Sequence, residues 1–578
     1  MTLGRSSAAW IACALLVTLT LVARPWGDYP TNDDWQYARV TKRLAETGTF
    51  QVDVPIAPSL VGQAYAAATV VRVVGFSHTR LRLLTLVLGL VLLHLVDGLL
   101  AAAALTWRAR VVALAALAVN PLFVNLSLSF MTEVYGYVPA LLGAWVWLRL
   151  PRTASRTPRV GAALAAGALC GLSFWIRQYA VLVLPALWIG IAAGGGGWGR
   201  SRLRTLARPL AISLAGALPF VAGYFLWAQQ SEALRPEFAQ PLARLAHLDP
   251  RAWAAECGPF VLFLGLSCAP ILVMARVHRR RVTAKELLGG AILAVASLAS
   301  AGLFRSMVDA SPQLDFYMGH HSSFPFVGNT FSAAGIGAIT LTDVYWLGAP
   351  ARPHWAGWLW VTIVGVAIVS TALAGLLLKD RRSTASAEPG VRRELAGFGA
   401  ALALLSFAVA VQAYGTLMFD RYYFPAVLGA VLATAARALP GVADEKPDDA
   451  RRRRDTAFGS AAAVVAVLGL VTTCGLHNYF RWNDARWSLY EHALASGADP
   501  RTVDGGYEIQ GWRTFDLLTP GAEMRCIGPC SCTQGWYCAD NSYMLAMNPV
   551  PGYRVVEEMQ PAYWLAEGPP VQVLQRVE

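Results

Sequence analysis

Charge is what this 578-residue sequence is short of. Asp, Glu, Lys and Arg together make up 15% of it, against about 25% in an ordinary soluble domain. Hydrophobic residues reach 56% and mean hydropathy is +0.44. A soluble globular chain of this length does not have that balance. The two-residue alternation of a transmembrane β-barrel is missing as well, and no internal repeat is visible. Cysteine is sparse, with nine in the whole chain, and five of them are scattered. The net charge of +12 comes mostly from arginines in short loops, so it reads as membrane topology and not as nucleic-acid binding.

What is present is a succession of apolar runs of roughly 18–23 residues. The expected fold class is an all-α polytopic membrane protein with about thirteen transmembrane helices and a small C-terminal extracytoplasmic α+β domain. Ala8–Ala23 reads as a retained first span, preferred over a cleaved signal peptide. Val61–Phe76 is apolar but short and carries Gln63 and Arg72. If it spanned, every Arg-rich loop would face outward, against the positive-inside rule, so it reads as a juxtamembrane helix. The other spans fall near Leu81–Ala103, Val111–Leu128, Gly136–Leu150, Val160–Trp175, Tyr179–Ala193, Pro209–Ala228, Pro259–Ala275, Glu286–Phe304, Trp355–Leu378, Leu395–Tyr414, Tyr422–Ala438 and Ala457–Gly475. This puts the N-terminus in the cytoplasm and the C-terminus outside. Residues 1–475 form the membrane domain, with a first outward loop at 24–60, and 476–578 form the extracytoplasmic domain. There Cys526, Cys530, Cys532 and Cys538 crowd together. Outside the cytoplasm such a cluster reads as two disulfides of undetermined pairing, with a zinc site as runner-up.

The first outward loop holds Pro30-Thr31-Asn32-Asp33-Asp34-Trp35-Gln36-Tyr37. Two adjacent carboxylates at a membrane edge are costly unless they are solvated, paired or used. One reading is a helix cap, with Asn32 or Asp33 opening a helix through Trp35 to Glu46; the other is catalytic. Glu133, in Met131-Thr132-Glu133, has no basic neighbour in its loop. It needs a partner from elsewhere, such as Arg177, a metal or a substrate. Arg177 and Arg421 lie between apolar segments. Each reads either as a phosphate-gripping guanidinium or as a snorkelling interface residue, with Asp420 a candidate partner for Arg421. Tyr422 and Tyr423 fit an interfacial aromatic belt as well as a site. His320-His321 lacks a spaced third ligand and reads mainly as solvated loop. His94 and Asp97, one turn apart, read as a mutually satisfied pair. Asp504-Gly505-Gly506-Tyr507-Glu508 with Gly511-Trp512 is a polar-aromatic run, open to sugar stacking or to a Gly-rich turn around a packed Trp.

Taken in order, several of these motifs resemble those of the C-type membrane glycosyltransferases, such as the protein O-mannosyltransferases and the lipid A aminoarabinose transferase. Asp33-Asp34 with Tyr37-Ala38 is similar to the family's acidic pair in the first outward loop. Leu81-Arg82-Leu83, Met131-Thr132-Glu133, Trp175-Ile176-Arg177-Gln178 and Asp420-Arg421-Tyr422-Tyr423-Phe424-Pro425 follow in the family's order. One departure is that Asp53–Leu60 has no Lys or His ahead of its apolar helix, where relatives often carry a basic residue. The resemblance implies sugar transfer from a polyprenyl-phosphate carrier to a glycan, lipid or protein acceptor, in the inner (plasma) membrane at its outer face. It also implies Asp33, Asp34 and Glu133 as catalytic candidates, with Asp33 first as general base. Arg177, Arg421, Tyr37 and Tyr422 become candidates for the donor phosphate or lipid, and His320 and His321 for the acceptor. A divalent metal beside Asp33 and Glu133 is left open. The competing reading is a transporter or flippase of a lipid-linked glycan, but its polar groups belong near the midplane and in paired halves.

Overall fold

A helix occupies each of the apolar runs. The computed structural model describes the chain apart from residues 1–6, 53–58, 150–159, 195–199, 231–248, 279–282, 311–322, 333, 346, 348–356, 379–389, 416–418, 443–450, 518–540, 566–567 and 578. His320, His321, Cys526, Cys530, Cys532 and Cys538 fall outside the described residues. Cys13, Cys170, Cys257, Cys268 and Cys474 are free thiols.

Among the described residues, seven helices are long and apolar enough to cross a membrane, or eight if one bent pair counts as a span. Other runs form shorter helices, such as α1 (Ser7–Ala23) and α3 (Val61–Val74). Between those two, α2 (Asp34–Thr47) follows the acidic loop, where the sequence places a helix. The polar residues of α3 serve backbone groups. Gln63 Nε2 donates to Phe130 O at 2.9 Å, and Arg72 donates to Ala45 O and Leu44 O at 3.1 and 2.9 Å. Arg72 thus satisfies carbonyls at the C-terminal end of α2.

The expected continuous span Val111–Leu128 is broken. After α4 (His78–Ala102), α5 (Trp107–Ala118) and α6 (Pro121–Ser127) meet at 66°. Pro121 has no N–H to continue the helix, and Asn120 caps the new one by accepting from Phe123 N at 3.0 Å. The expected His94–Asp97 pair does not form either. Asp97 takes Arg110 across both oxygens, at 2.7 and 2.6 Å, while His94 Nδ1 lies 2.9 Å from Leu90 O. A guanidinium fork satisfies two carboxylate oxygens at once, which an imidazole cannot do.

The bundle continues with α7 (Thr132–Arg149), α8 (Val160–Phe174), α9 (Val183–Gly194) and α10 (Arg200–Gln230). Then come α11 (Pro250–His278), α12 (Ala284–Ala310), α13 (Gly357–Leu378), α14 (Gly390–Tyr414) and α15 (Phe424–Ala438). α8 packs on α7 and α10, and α14 on α9 and α15; α11 packs on α12, α13 and the last helix. That last helix, α16 (Arg451–Ala495), is 45 residues long. The expected domain border at 475/476 lies within it.

A hairpin, β1 (Phe331–Ser332) with β2 (Gly335–Ile336), packs on α16. The C-terminal strands are β3 (Val503–Asp504), β4 (Tyr543–Ala546), β5 (Tyr553–Met559) and β6 (Val571–Arg576). They form one sheet in the order β3-β4-β6-β5, with only β3–β4 parallel. β6 lays its buried face on α16.

Candidate active site

Four joints between helices meet: those joining α1 to α2, α6 to α7, α8 to α9, and α14 to α15. Each places a chemistry-bearing residue at or beside the end of a helix.

Asp33 stands just before α2, and its side chain makes no cap bond. Its Oδ2 accepts from Arg421 Nη1 at 2.5 Å and its Oδ1 from the Tyr507 hydroxyl at 3.2 Å. Asp34 turns the other way, as successive residues entering a helix must, about 100° apart. It accepts from Thr31 N at 2.6 Å, Thr31 Oγ1 at 3.0 Å and Phe130 N at 3.2 Å. Burial pushes its carboxyl up to about 7, against the pull of Arg82 and those hydrogen bonds. Asp34 therefore ties the loop to the α6–α7 joint, and Asp33 is the member of the pair that faces the arginines.

Glu133 sits in the first turn of α7, fully buried, and its partner is Arg177. Arg177 Nη2 lies 2.9 Å from Glu133 Oε1, and the Tyr179 hydroxyl reaches the same oxygen at 3.4 Å. Glu133 Oε2 and Arg177 Nε are buried without a hydrogen-bond partner. Burial works against the charge on Arg177, but Glu133, together with Tyr179, Tyr37 and Tyr414, outweighs it and holds the guanidinium protonated. That guanidinium also lies over the rings of Tyr179 and Tyr422, 4.5 and 5.7 Å from their centroids. Gly136, one turn into α7, makes room for it, because a Cβ there would stand 2.8 Å from Arg177 Cβ.

Arg421 does not pair with its neighbour Asp420, contrary to the sequence expectation. Asp420 accepts from Thr330 N at 2.9 and 3.1 Å, and burial pushes its carboxyl up to about 8. The two residues open a 3-10 turn, Asp420–Tyr423, in which successive side chains diverge by about 120°. Arg421 thus reaches Asp33 while its guanidinium covers the Tyr422 ring at 5.4 Å, and that ring stacks on Tyr414 at 4.3 Å. Arg421 Nε has no partner. Tyr37 is buried between the two ion pairs. Burial pushes its hydroxyl well up and Asp33 adds to the shift, with Arg177 and Arg421 opposing and Glu133 contributing. Beside Arg421 opens a pocket whose polar lining includes Asn32, Asn125, Ser129, Asn329, Thr330 and Asp420.

Asp33, Tyr37, Glu133, Arg177, Arg421 and Tyr422 are thus brought together. Among the described residues no group of three or more His, Cys, Asp or Glu could hold a metal ion. Guanidinium groups supply the positive charge that faces both carboxylates.

No protein-family model matches the chain, and no curated protein does. Solved structures similar to it include two of one protein. The crystal structure of ArnT from Cupriavidus metallidurans in the apo state is 16% identical, covering 88% of this chain and 84% of that one, with a TM-score of 0.37. The crystal structure of ArnT bound to undecaprenyl phosphate is 14% identical, covering 98% of each chain, with a TM-score of 0.42.

Sequence reasoning missed Tyr507 as a neighbour of Asp33, although the run 504–508 is conspicuous for its density of polar groups. It missed Tyr414 altogether, since a lone tyrosine ending an apolar helix carries no distinguishing signal.

Proposed function

We propose that this chain is an integral membrane glycosyltransferase that moves a sugar from a polyprenyl-phosphate donor to an acceptor at the extracytoplasmic face. It crosses the inner membrane about thirteen times, with its N-terminus cytoplasmic and its C-terminal region outside. Asp33 is the general base. The acceptor hydroxyl loses its proton to the Asp33 carboxylate as its oxygen bonds to the anomeric carbon. The bond from that carbon to the phosphate oxygen breaks, and the electron pair leaves with the lipid phosphate. Arg421 and Arg177 bind that phosphate and stabilise the charge growing on it. Glu133 holds Arg177 in place, while Tyr37 and Tyr422 wall the site and keep it dry.

The observation that carries this reading is the pair of ion pairs, Asp33–Arg421 and Glu133–Arg177, gathered around Tyr37. Each arginine keeps its buried Nε–H without a hydrogen-bond partner, which leaves it able to meet an anion. The acids lie at helix joints, not mid-helix, which favours a transferase over a transporter.

The test reconstitutes the full-length protein in lipid nanodiscs with undecaprenyl-phosphate-linked hexoses and pentoses and follows release of undecaprenyl phosphate. Wild type releases it from one of these donors, and Asp33→Asn, still folded, does not. Retained release in Asp33→Asn overturns the assignment of the base. Movement of the intact donor across the bilayer without cleavage overturns the transferase reading.

A further inference from the structure

The run 504–508, some 470 residues after the first loop in sequence, touches Asp33 directly. The Tyr507 hydroxyl donates to Asp33 Oδ1 at 3.2 Å and accepts from Gln36 Nε2 at 2.9 Å. An amide nitrogen only donates, so the single phenolic hydrogen is committed to the carboxylate. Gln36 lies on α2, three residues past Asp33, and the three groups form a one-way chain of hydrogen bonds ending on it.

The segment bearing Tyr507 is pinned on every side. Tyr507 N donates to Thr340 O at 3.0 Å. Glu508 Oε1 accepts from Asn32 N at 2.8 Å, and Oε2 accepts from Arg486 Nη2 at 2.9 Å and from the Thr340 hydroxyl. The side chains of Glu508 and Arg486 are both 0% exposed. Breaking such a pair leaves a buried charge uncompensated, so the segment has one seat. Gly506 is in the left-handed region at φ +85°, and a Cβ there would stand 2.5 Å from Thr340 O. Only glycine lets the chain turn this close to the 340 loop.

Arg421 and Tyr507 engage different oxygens of Asp33, and two contacts on two oxygens set the plane of a carboxylate where one leaves it free to rotate. We propose that Tyr507 is a positioning residue for Asp33, so that the C-terminal region completes the site of the membrane domain. Tyr507 keeps its proton throughout; it fixes where the carboxylate's remaining lone pairs point. This rests on the reading of Asp33 as the base.

Two measurements on the full-length protein in nanodiscs test it. In isotope-edited infrared spectra with 13C-carboxyl aspartate, the carboxylate band lost in Asp33→Asn shifts in Tyr507→Phe. An unmoved band overturns the hydrogen bond, whatever the protein catalyses. In the undecaprenyl phosphate release assay, Tyr507→Phe lowers kcat about ten- to hundredfold, with KM for the lipid donor and the melting midpoint near wild type. Gln36→Leu, acting through Tyr507, adds no further loss in the double variant. A wild-type kcat in Tyr507→Phe, or a multiplying loss in the double variant, overturns the proposal. If Asp33→Asn is inactive and Tyr507→Phe is not, only this inference falls; if Asp33→Asn is active, the reading of the base falls.

Discussion

Arg421 Nη1 lies 2.5 Å from Asp33 Oδ2, joining residues 388 positions apart in the chain. The pair is largely shielded from water, with side-chain exposures of 14% and 20%. Burial works against the charge on Arg421, but Asp33 and its other neighbours hold the guanidinium protonated, and Arg421 keeps a donor for a phosphate. Arg421→Ala should reduce kcat/KM about 10²- to 10³-fold. Arg421→Lys should recover only part, because an ammonium cannot fork between a carboxylate and a phosphate. Equal activity in the Lys variant and wild type would refute a two-sided role.

The Glu133–Arg177 pair is buried on both sides. Removing one partner leaves the other charge uncompensated, at about 3–5 kcal/mol. Glu133→Gln should therefore lower the thermal midpoint, and adding Arg177→Met should raise it again. A double variant less stable than either single one would show that the two are not coupled.

Gly136→Ala tests geometry without changing charge. The new methyl would stand 2.8 Å from Arg177 Cβ, too close for a carbon–carbon contact, so Arg177 has to move. A shift on the order of 1 Å costs about a hundredfold in turnover. Turnover near wild type, measured by undecaprenyl phosphate release, would mean that the position of Arg177 does not matter.

Asp34 makes stability depend on pH. Its folded value of about 7 lies above the ordinary 3.8, so between those values the folded protein holds more protons than the unfolded one. Its contribution is fully present below about pH 4 and is lost as pH rises through about 7. The midpoint of wild type should fall over that window more than that of Asp34→Asn. Asn cannot titrate; its NH2 group gives up one of the bonds that Asp34 accepts from Thr31 N and Phe130 N, so the variant starts from a lower midpoint but lacks the drop over that window.

Much of this was legible in the residues. Apolar runs of span length fold as helices because nothing else satisfies backbone groups in lipid. The acids and arginines at the run ends stand out because an unpaired charge there is costly. What could not be read was pairing. Arg421 ignores the carboxylate beside it because the 3-10 turn parts them, and Asp420 is already taken by Thr330 N, from a loop 90 residues away. Asp97 chose Arg110 over His94 for the fork. Asn120-Pro121 looked like the middle of a span, though it holds both a cap and a breaker. Tyr507 belongs to a different part of the fold, and no local pattern announces which distant carboxylate a phenol will meet.

α16 runs 45 residues without interruption, about 67 Å at 1.5 Å per residue. Arg486, near its far end, bonds Glu508, and Glu508 in turn accepts from Asn32 N. One unbroken helix thus reaches from the packed bundle to the loop that carries Asp33, so the loop takes its place from the same element that closes the bundle.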